Sequence, residues 1–242
     1  MLKLSQMVKK LPSLSIFFPF YNEEANIAAQ TKDALKIAPR FCQKWEIILV
    51  NDGSADKTGE IAQELAQKYP GVRAVSHSQN RGYGAAIKTG LKASRYEWIF
   101  FSDGDRQFDL KELSKLVEKS TKADLIIGYR QKRADPFIRL ANAKLFNFLI
   151  RLLFGLKVKD VDCAFKLIKK EVVDNIGPLK SDGALVSSEL LIKAQKKGYK
   201  ILEVPVSHYP RKAGKQTGAN PRVIFKAFYD IAALWQDLKW LT

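Results

Sequence analysis

Short apolar runs recur through the first half of the chain with helical patterns between them, and this alternation limits the architectures open to it. Residues 14–18, 46–50, 72–76, 98–101 and 125–127 read as strands. Helical spacing fills the intervals at 23–37, 55–69, 84–95 and 110–119. Continuous apolar strands alternating with helices belong to a parallel sheet covered on both faces. The pattern predicts an α/β fold with a mostly parallel central sheet and helices on either side. In such sheets ligands bind beyond the carboxyl ends of the strands.

Three polar groups fall at those ends. Asp103-Gly104-Asp105 closes the run Trp98-Ile99-Phe100-Phe101. Two carboxylates two residues apart at the mouth of a buried strand repel each other unless positive charge sits between them. A hard divalent cation is the usual remedy, and Mg²⁺ held by one or two carboxylates commonly completes its shell with phosphate oxygens. Gln107 is a neutral oxygen donor suited to the same ion. Asn51-Asp52-Gly53-Ser54 follows the second strand. Ser54 is the expected N-cap of the next helix, which leaves Asp52 free to accept hydrogen bonds from a base or ribose. Tyr21-Asn22-Glu23 follows the first strand. Each of these could be a solvated turn, since Asp and Gly are common in turns; their predicted convergence on one sheet edge favours a binding site. Gly82-Tyr83-Gly84 is not a dinucleotide fingerprint, because the third glycine of that motif would be Ile87. A close turn into a helix is expected there.

The second half has a different texture. Residues 136–155 are rich in Phe, Leu and Ile, with Arg139, Lys144 and Arg151 and no acid. A helix is expected at 187–197 and a strand at 201–206. At 221–241, Ile224, Phe228, Ile231, Trp235 and Leu238 recur at helical spacing. Basic residues with aromatics beside an apolar stripe describe helices that lie in a lipid interface, although such stripes also pack on their own domain. Lys and Arg number 41 against 25 Asp and Glu, a formal charge of +16, so an anionic partner is expected. No nucleic-acid-reading motif accompanies that charge, so nucleic acid is not the expected partner. Two cysteines, Cys42 and Cys163, exclude a disulfide scaffold and point to a reducing compartment. No apolar run is long enough to span a bilayer. The expectation is one domain over 1–242, cytoplasmic and peripheral on the cytoplasmic face of a membrane, with interfacial helices near 136–155 and 221–241.

The ordered set Pro19-Phe20-Tyr21-Asn22-Glu23, Asn51-Asp52-Gly53-Ser54, Asn80-Arg81-Gly82-Tyr83-Gly84, Asp103-Gly104-Asp105-Arg106-Gln107 and Asp160-Val161-Asp162-Cys163-Ala164-Phe165-Lys166 resembles the inverting GT-A glycosyltransferases of family 2. Within them it is most similar to the polyprenyl-phosphate group, which includes dolichol-phosphate mannosyltransferases and glucosyltransferases. The resemblance implies a GT-A nucleotide-diphospho-sugar transferase fold. It implies that Pro19, Tyr21, Glu23, Val50, Asp52, Asp103 and Gly104 bind the nucleotide sugar. It also implies that Asp103, Asp105 and Gln107 hold Mg²⁺ or Mn²⁺. Asp105, Arg130 and Arg211 become the expected catalytic residues, with Arg139 and Lys215 on the acceptor phosphate. Asn51, Ala143 and Ala164 depart from residues common in the family.

The implied reaction moves a hexose from a nucleotide sugar, GDP-mannose first and UDP-glucose second, to a polyprenyl or dolichyl phosphate at a membrane surface, with room for a membrane-spanning partner subunit. A phosphate acceptor is already anionic, which explains why no His or Glu stands out as a general base. If the acceptor were instead a saccharide hydroxyl, Asp160, Asp162 or Glu189 would have to serve as that base. A basic nucleic-acid-binding protein and a non-catalytic membrane adaptor, which would tolerate loss of Asp103 and Asp105, are the remaining alternatives.

Overall fold

The computed structural model describes residues 10–131 and 137–211, the side chains of 137–142 excepted, together with 230–231 and 234–236. Seven strands form one sheet in the order β3-β2-β1-β4-β6-β5-β7. They are β1 (Ser13–Phe20), β2 (Lys44–Asn51), β3 (Val72–Ser76), β4 (Trp98–Ser102), β5 (Leu125–Arg130), β6 (Phe165–Lys169) and β7 (Ile201–Val206). Helices α1 (Glu24–Phe41), α2 (Thr58–Lys68) and α3 (Tyr83–Ala93) connect the first four strands. A 3₁₀ turn, Leu110–Glu112, runs into α4 (Leu113–Val117); α5 (Phe137–Phe154), α6 (Lys170–Asn175) and α7 (Val186–Lys196) follow.

The strands are apolar on both sides because both sides are covered. Leu14, Ile16, Phe18, Ile47, Leu49, Trp98 and Phe100 enter one core cluster, with Ile27, Ala34 and Ile37 of α1 and Leu113 and Leu116 of α4. The alternate residues Phe17, Ile48, Val50, Ile99 and Phe101 enter the other, with Ile87 and Leu91 of α3 and Leu190 and Leu191 of α7. This two-residue alternation between covered faces is the geometry of an extended chain.

Strand β6 and the short helix α6 that follows it are not predicted by the periodicity. The strand lies antiparallel between β4 and β5, pairing Phe101 with Lys166 and Ile126 with Leu167, while the pairs β1–β2, β1–β4, β2–β3 and β5–β7 are parallel. Its sequence FKLIK has a lysine at the second position, which reads as a polar interruption until Lys166 is seen fully buried. The helix expected at 55–69 begins only at Thr58, and Ser54 is not its N-cap. Asp56 instead accepts from the Thr58 N–H and hydroxyl, while the Ser54 hydroxyl accepts from the Asn22 N–H. The helix expected at 110–119 is shortened to the 3₁₀ turn and α4.

The two apolar helices part company. On α5, Phe146 and Ile150 are buried while Leu145, Phe148, Leu152 and Leu153 stay exposed. In the described pieces near the C-terminus, Ile231 and Leu234 are buried in the α3–α7 core and Trp235 is exposed. The remainder of 221–241 lies outside the described residues. Among the described residues no helix is long and apolar enough to cross a membrane.

Helix α3 rests directly on β1: a Cβ added at Gly90 would meet the Phe17 ring at 2.2 Å. Since Phe17 is fully buried and has no room to yield, Gly90→Ala should destabilise the protein by about 1–3 kcal/mol. Urea unfolding monitored by circular dichroism measures it.

Candidate active site

The turns that follow β1 and β2 are zipped together at the carboxyl edge of the sheet. Asn22 accepts from the Ala55 N–H at 2.9 Å, the Glu23 N–H donates to the Thr58 hydroxyl at 2.8 Å, and Glu24 accepts from the Lys57 N–H at 3.0 Å. Asn22 takes a left-handed conformation, φ 54°, to make this turn. Glu23 is thereby fixed and nearly buried, its other oxygen accepting from Asn26 at 2.6 Å. Tyr21 stays 40% exposed beside it, while Pro19 and Val50 are buried in the ends of β1 and β2.

Asp103-Gly104-Asp105 meets this edge as predicted. Gly104 lies so close to β1 that a Cβ there would strike the Phe20 ring at 2.3 Å and the Pro19 carbonyl at 2.9 Å. The close approach sets the acid pair beside the end of β1, and the Asp105 charge acts on Glu23. Asp103 accepts from the Tyr83 hydroxyl at 3.0 Å. Burial first, and the neighbouring Asp105 second, push its carboxyl up to about 7. Burial and Asp103 together raise the Tyr83 phenol well above its ordinary value, so it stays a donor. Asp105 accepts from the Gln107 N–H at 3.1 Å.

A guanidinium already sits in this acid cluster. Arg211, just beyond β7, forms an ion pair with Glu23 and lies 3.7 Å from Asp105 Oδ2. Burial raises the Glu23 carboxyl, and Asn26 and Arg211 pull against that shift. Gln107 secures the arrangement: its amide donates to the Tyr209 carbonyl at 2.9 Å, and the Tyr209 N–H returns a bond to the Gln107 carbonyl at 2.9 Å. Its amide nitrogen is therefore committed to tethering the segment that carries Arg211. A crowded carboxylate pair that draws in a cation from another element fits a divalent ion. Among the described residues no cluster of three or more His, Cys, Asp or Glu forms a closed metal cage. An ion held by two carboxylates would complete its shell with phosphate oxygens.

Asp52 departs from expectation. It is buried, and both oxygens are already occupied within the protein. Oδ1 contacts His77 Nδ1 at 2.6 Å and accepts from the Arg81 N–H at 3.0 Å. Oδ2 accepts from Asn80 at 3.1 Å and from the Gly82 N–H at 2.9 Å. Rather than a free acceptor for a base or ribose, it is the anchor of the 80–82 turn. His77 is correspondingly structural, bridging Asp52 to Thr89.

Arg130, at the end of β5, spends its fork on Asp160, with Nε and Nη2 each 2.7 Å from a carboxylate oxygen. Burial would lower its pKa, but the Asp160 bond reverses this and raises it. It borders a cavity of about 350 Å³ whose lining includes Tyr129, Lys144, Asn147, Phe148, Arg151 and Lys159. Arg139 lies on α5, its side chain outside the described residues, and Lys215 lies outside them altogether.

Two buried charges were not legible in the sequence. The Lys166 ammonium donates to the carbonyls of Val161 and Cys163, folding the 160–164 segment over β6. Burial lowers its pKa, against the pull of acids that include Asp162, Asp160 and Asp103. Glu189 is fully buried on α7, pairs with Lys193 at 2.7 Å, and accepts from the N–H groups of Lys180 and Ser181. Helical spacing marks neither, because a polar residue in a strand or helix is ordinarily a solvated one. Cys163 is buried, its thiol pushed up to about 12 chiefly by burial, which leaves it an inert packing group.

The profile of the family described as Glycosyl transferase family 2 matches residues 15–177. The chain belongs to glycosyl transferase family 2. As a family 2 protein it is 29% identical over 220 residues to the dolichyl-phosphate beta-glucosyltransferase of Saccharomyces cerevisiae, an alignment covering 80% of this chain and 66% of that one. It is 29% identical over 226 residues to the undecaprenyl-phosphate 4-deoxy-4-formamido-L-arabinose transferase of Edwardsiella ictaluri, covering 92% of this chain and 68% of that one. The chain thus spans about two thirds of the length of these relatives. Its GT-A fold is shared with glucosyl-3-phosphoglycerate synthase from Mycobacterium tuberculosis, solved with Mn²⁺ and UDP-glucose. That likeness has a TM-score of 0.70 at 20% identity and covers 92% of this chain and 79% of that one.

The Asp103 shift carries a pH signature. In the folded, ligand-free protein the carboxyl holds its proton to about pH 7, whereas an unfolded Asp releases it near about 4. Ionisation in that window therefore costs the fold stability as pH rises. Asp103→Asn should raise the melting temperature above that of the unaltered protein at pH 8 and show little difference at pH 4; thermal melts across that range without metal measure it.

Proposed function

We propose that this chain transfers a hexose, with inversion, from a nucleotide sugar to a polyprenyl or dolichyl phosphate at a membrane surface. One juxtaposition carries the reading. The acidic edge formed by Asp103, Asp105 and Glu23 stands at one end of the sheet, and the basic, apolar-walled cavity bordered by Arg130 lies beyond β5. A metal–diphosphate suits the first and a lipid-linked phosphate the second. Lys144, Arg151 and Lys159 line that cavity, and Leu145, Phe148, Leu152 and Leu153 stand exposed on the same helix. Cationic side chains beside an exposed apolar stripe favour an anionic lipid interface.

UDP-glucose is the favoured donor, ahead of GDP-mannose: the yeast relative is a glucosyltransferase, and the mycobacterial structure holds Mn²⁺ with UDP-glucose. Asp103 and Asp105 would hold Mg²⁺ or Mn²⁺. A divalent ion there supplies Lewis-acid stabilisation of the departing nucleoside diphosphate. The acceptor phosphate oxygen forms a bond to the anomeric carbon from the face opposite the diphosphate, whose bond breaks and takes the electron pair. That nucleophile is anionic before it arrives, so the protein's task is to bring two anions together. Arg211, beside Asp105, and Arg130, at the cavity edge, would contribute that positive charge, and Arg139 and Lys215 would act on the acceptor phosphate. Tyr21, Glu23 and Gly104 border the donor.

The hydroxyl-acceptor alternative is less well supported. Of its three candidate bases, Asp160 is committed to Arg130 and Glu189 to Lys193 and two backbone N–H groups, so the role would fall to Asp162. In the favoured reading the protein works peripherally on the cytoplasmic face of its membrane, with or without a membrane-spanning partner.

Incubation with labelled UDP-glucose or GDP-mannose, polyprenyl phosphate and Mn²⁺ should move label into an organic extract. Asp105→Ala should lower that transfer by about a hundredfold or more while leaving the circular dichroism spectrum intact; unchanged turnover would refute the metal assignment. The double change Phe148→Asp with Leu152→Asp should weaken binding to phosphatidylserine-containing vesicles by at least about tenfold, measured by flotation.

A further inference from the structure

Tyr83 heads α3, and its hydroxyl meets Asp103 Oδ1 at 3.0 Å. Its ring packs on the α3–α7 face of the core. A phenylalanine would satisfy that packing equally well, so the hydroxyl needs a separate account. It brings a neutral donor to one oxygen, Oδ1, of a carboxylate that feels the charge of Asp105.

The turn that delivers Tyr83 is held from two independent directions. On one side Asp52 accepts from the N–H groups of Arg81 and Gly82 and from the Asn80 amide. On the other side the Gly84 N–H donates to the Asp182 carbonyl at 2.8 Å. Gly82 takes φ 96°, and Cβ atoms at Gly82 and Gly84 would meet the Asp182 carbonyl oxygen at 2.8 Å and the Ser181 carbonyl oxygen at 2.6 Å. The 180–182 segment is itself secured by Glu189 through the N–H groups of Lys180 and Ser181. Two buried acids are thus committed to one turn, and the side chain at its centre ends on Asp103.

We propose that Tyr83 is a positioning residue of the donor site: its hydroxyl orients the Asp103 carboxylate toward the metal-bound diphosphate, and Asp52 serves as the anchor that keeps Tyr83 in reach. The proposal rests on the glycosyl-transfer reading for the identity of what Asp103 holds. It reassigns Asp52 from contact with the nucleoside to support of the turn beneath it.

Tyr83→Phe removes one oxygen and leaves the ring. The altered protein should melt close to the unaltered one. Its affinity for Mn²⁺ in the presence of UDP or GDP, followed by electron paramagnetic resonance, should fall roughly tenfold, the scale of a lost hydrogen bond to a charged group. Transfer activity lost at limiting Mn²⁺ should return at saturating Mn²⁺, a rescue that a general structural lesion would not show. Asn80→Ala should weaken Mn²⁺ binding in the same direction, and combining it with Tyr83→Phe should add little, because both act through one contact. Unchanged or tighter Mn²⁺ binding in Tyr83→Phe would overturn the proposal, and full additivity would overturn the role given to Asp52. A crystal structure of ligand-free Tyr83→Phe separates this proposal from the reading beneath it. If the unaltered protein takes neither UDP nor GDP with Mn²⁺, the proposed function falls. The Asp103 carboxylate must still have shifted for the positioning role to stand.

Discussion

The repulsion between Asp103 and Asp105 at the mouth of β4 is the constraint around which the carboxyl edge of this sheet is arranged. Gly104 brings the pair against β1, where burial makes their mutual charge expensive. Help comes from elements far apart in sequence: Tyr83 from α3, Arg211 from beyond β7 and, at longer range, Arg130 from β5 and Lys166 from β6. Ions removed from water cost several kcal/mol each unless well paired. A protein that served only its own stability would gain by replacing such a cluster with apolar residues. Retaining it makes sense where a ligand brings the missing positive charge.

Rigidity around that cluster has a cost in sequence freedom. The turns after β1 and β2 share hydrogen bonds that leave little independent motion. Arg106 adopts φ 60° and pairs with Asp33 of α1 at 3.2 Å, so the residue following the acid pair is also restrained. The site is thus preorganised on the strand ends, with one element brought in from outside. The segment carrying Arg211 is held by the reciprocal Gln107–Tyr209 bonds and by the guanidinium itself. Lid-like behaviour, if it exists here, would have to break those contacts.

Side chains chosen for one task serve another when their neighbours arrive. Asp52 sits at a strand end where a ligand contact is the natural expectation, and it is saturated by its own chain instead. The segments 136–155 and 221–241 have similar amphipathic spacing, yet α5 presents four large apolar side chains outward while Ile231 and Leu234, among the described residues, are turned into the core. Amphipathicity specifies that a face is to be covered. It does not specify by what.

Local pattern was enough to determine the alternation of strands and helices, the parallel majority of the sheet and the gathering of Tyr21-Asn22-Glu23, Asp52 and Asp103-Gly104-Asp105 at one edge. All three follow from side-chain periodicity and from turn residues adjacent in the chain. Tertiary structure alone decided that β6 inserts antiparallel with Lys166 buried, that Asp52 anchors a turn, and that Tyr83 and Arg211 meet the acid pair. The physical reason is range. Periodicity records which residues leave water, whereas the partners of Asp103 and Glu23 lie 20 and 188 residues away, and nothing local encodes that distance.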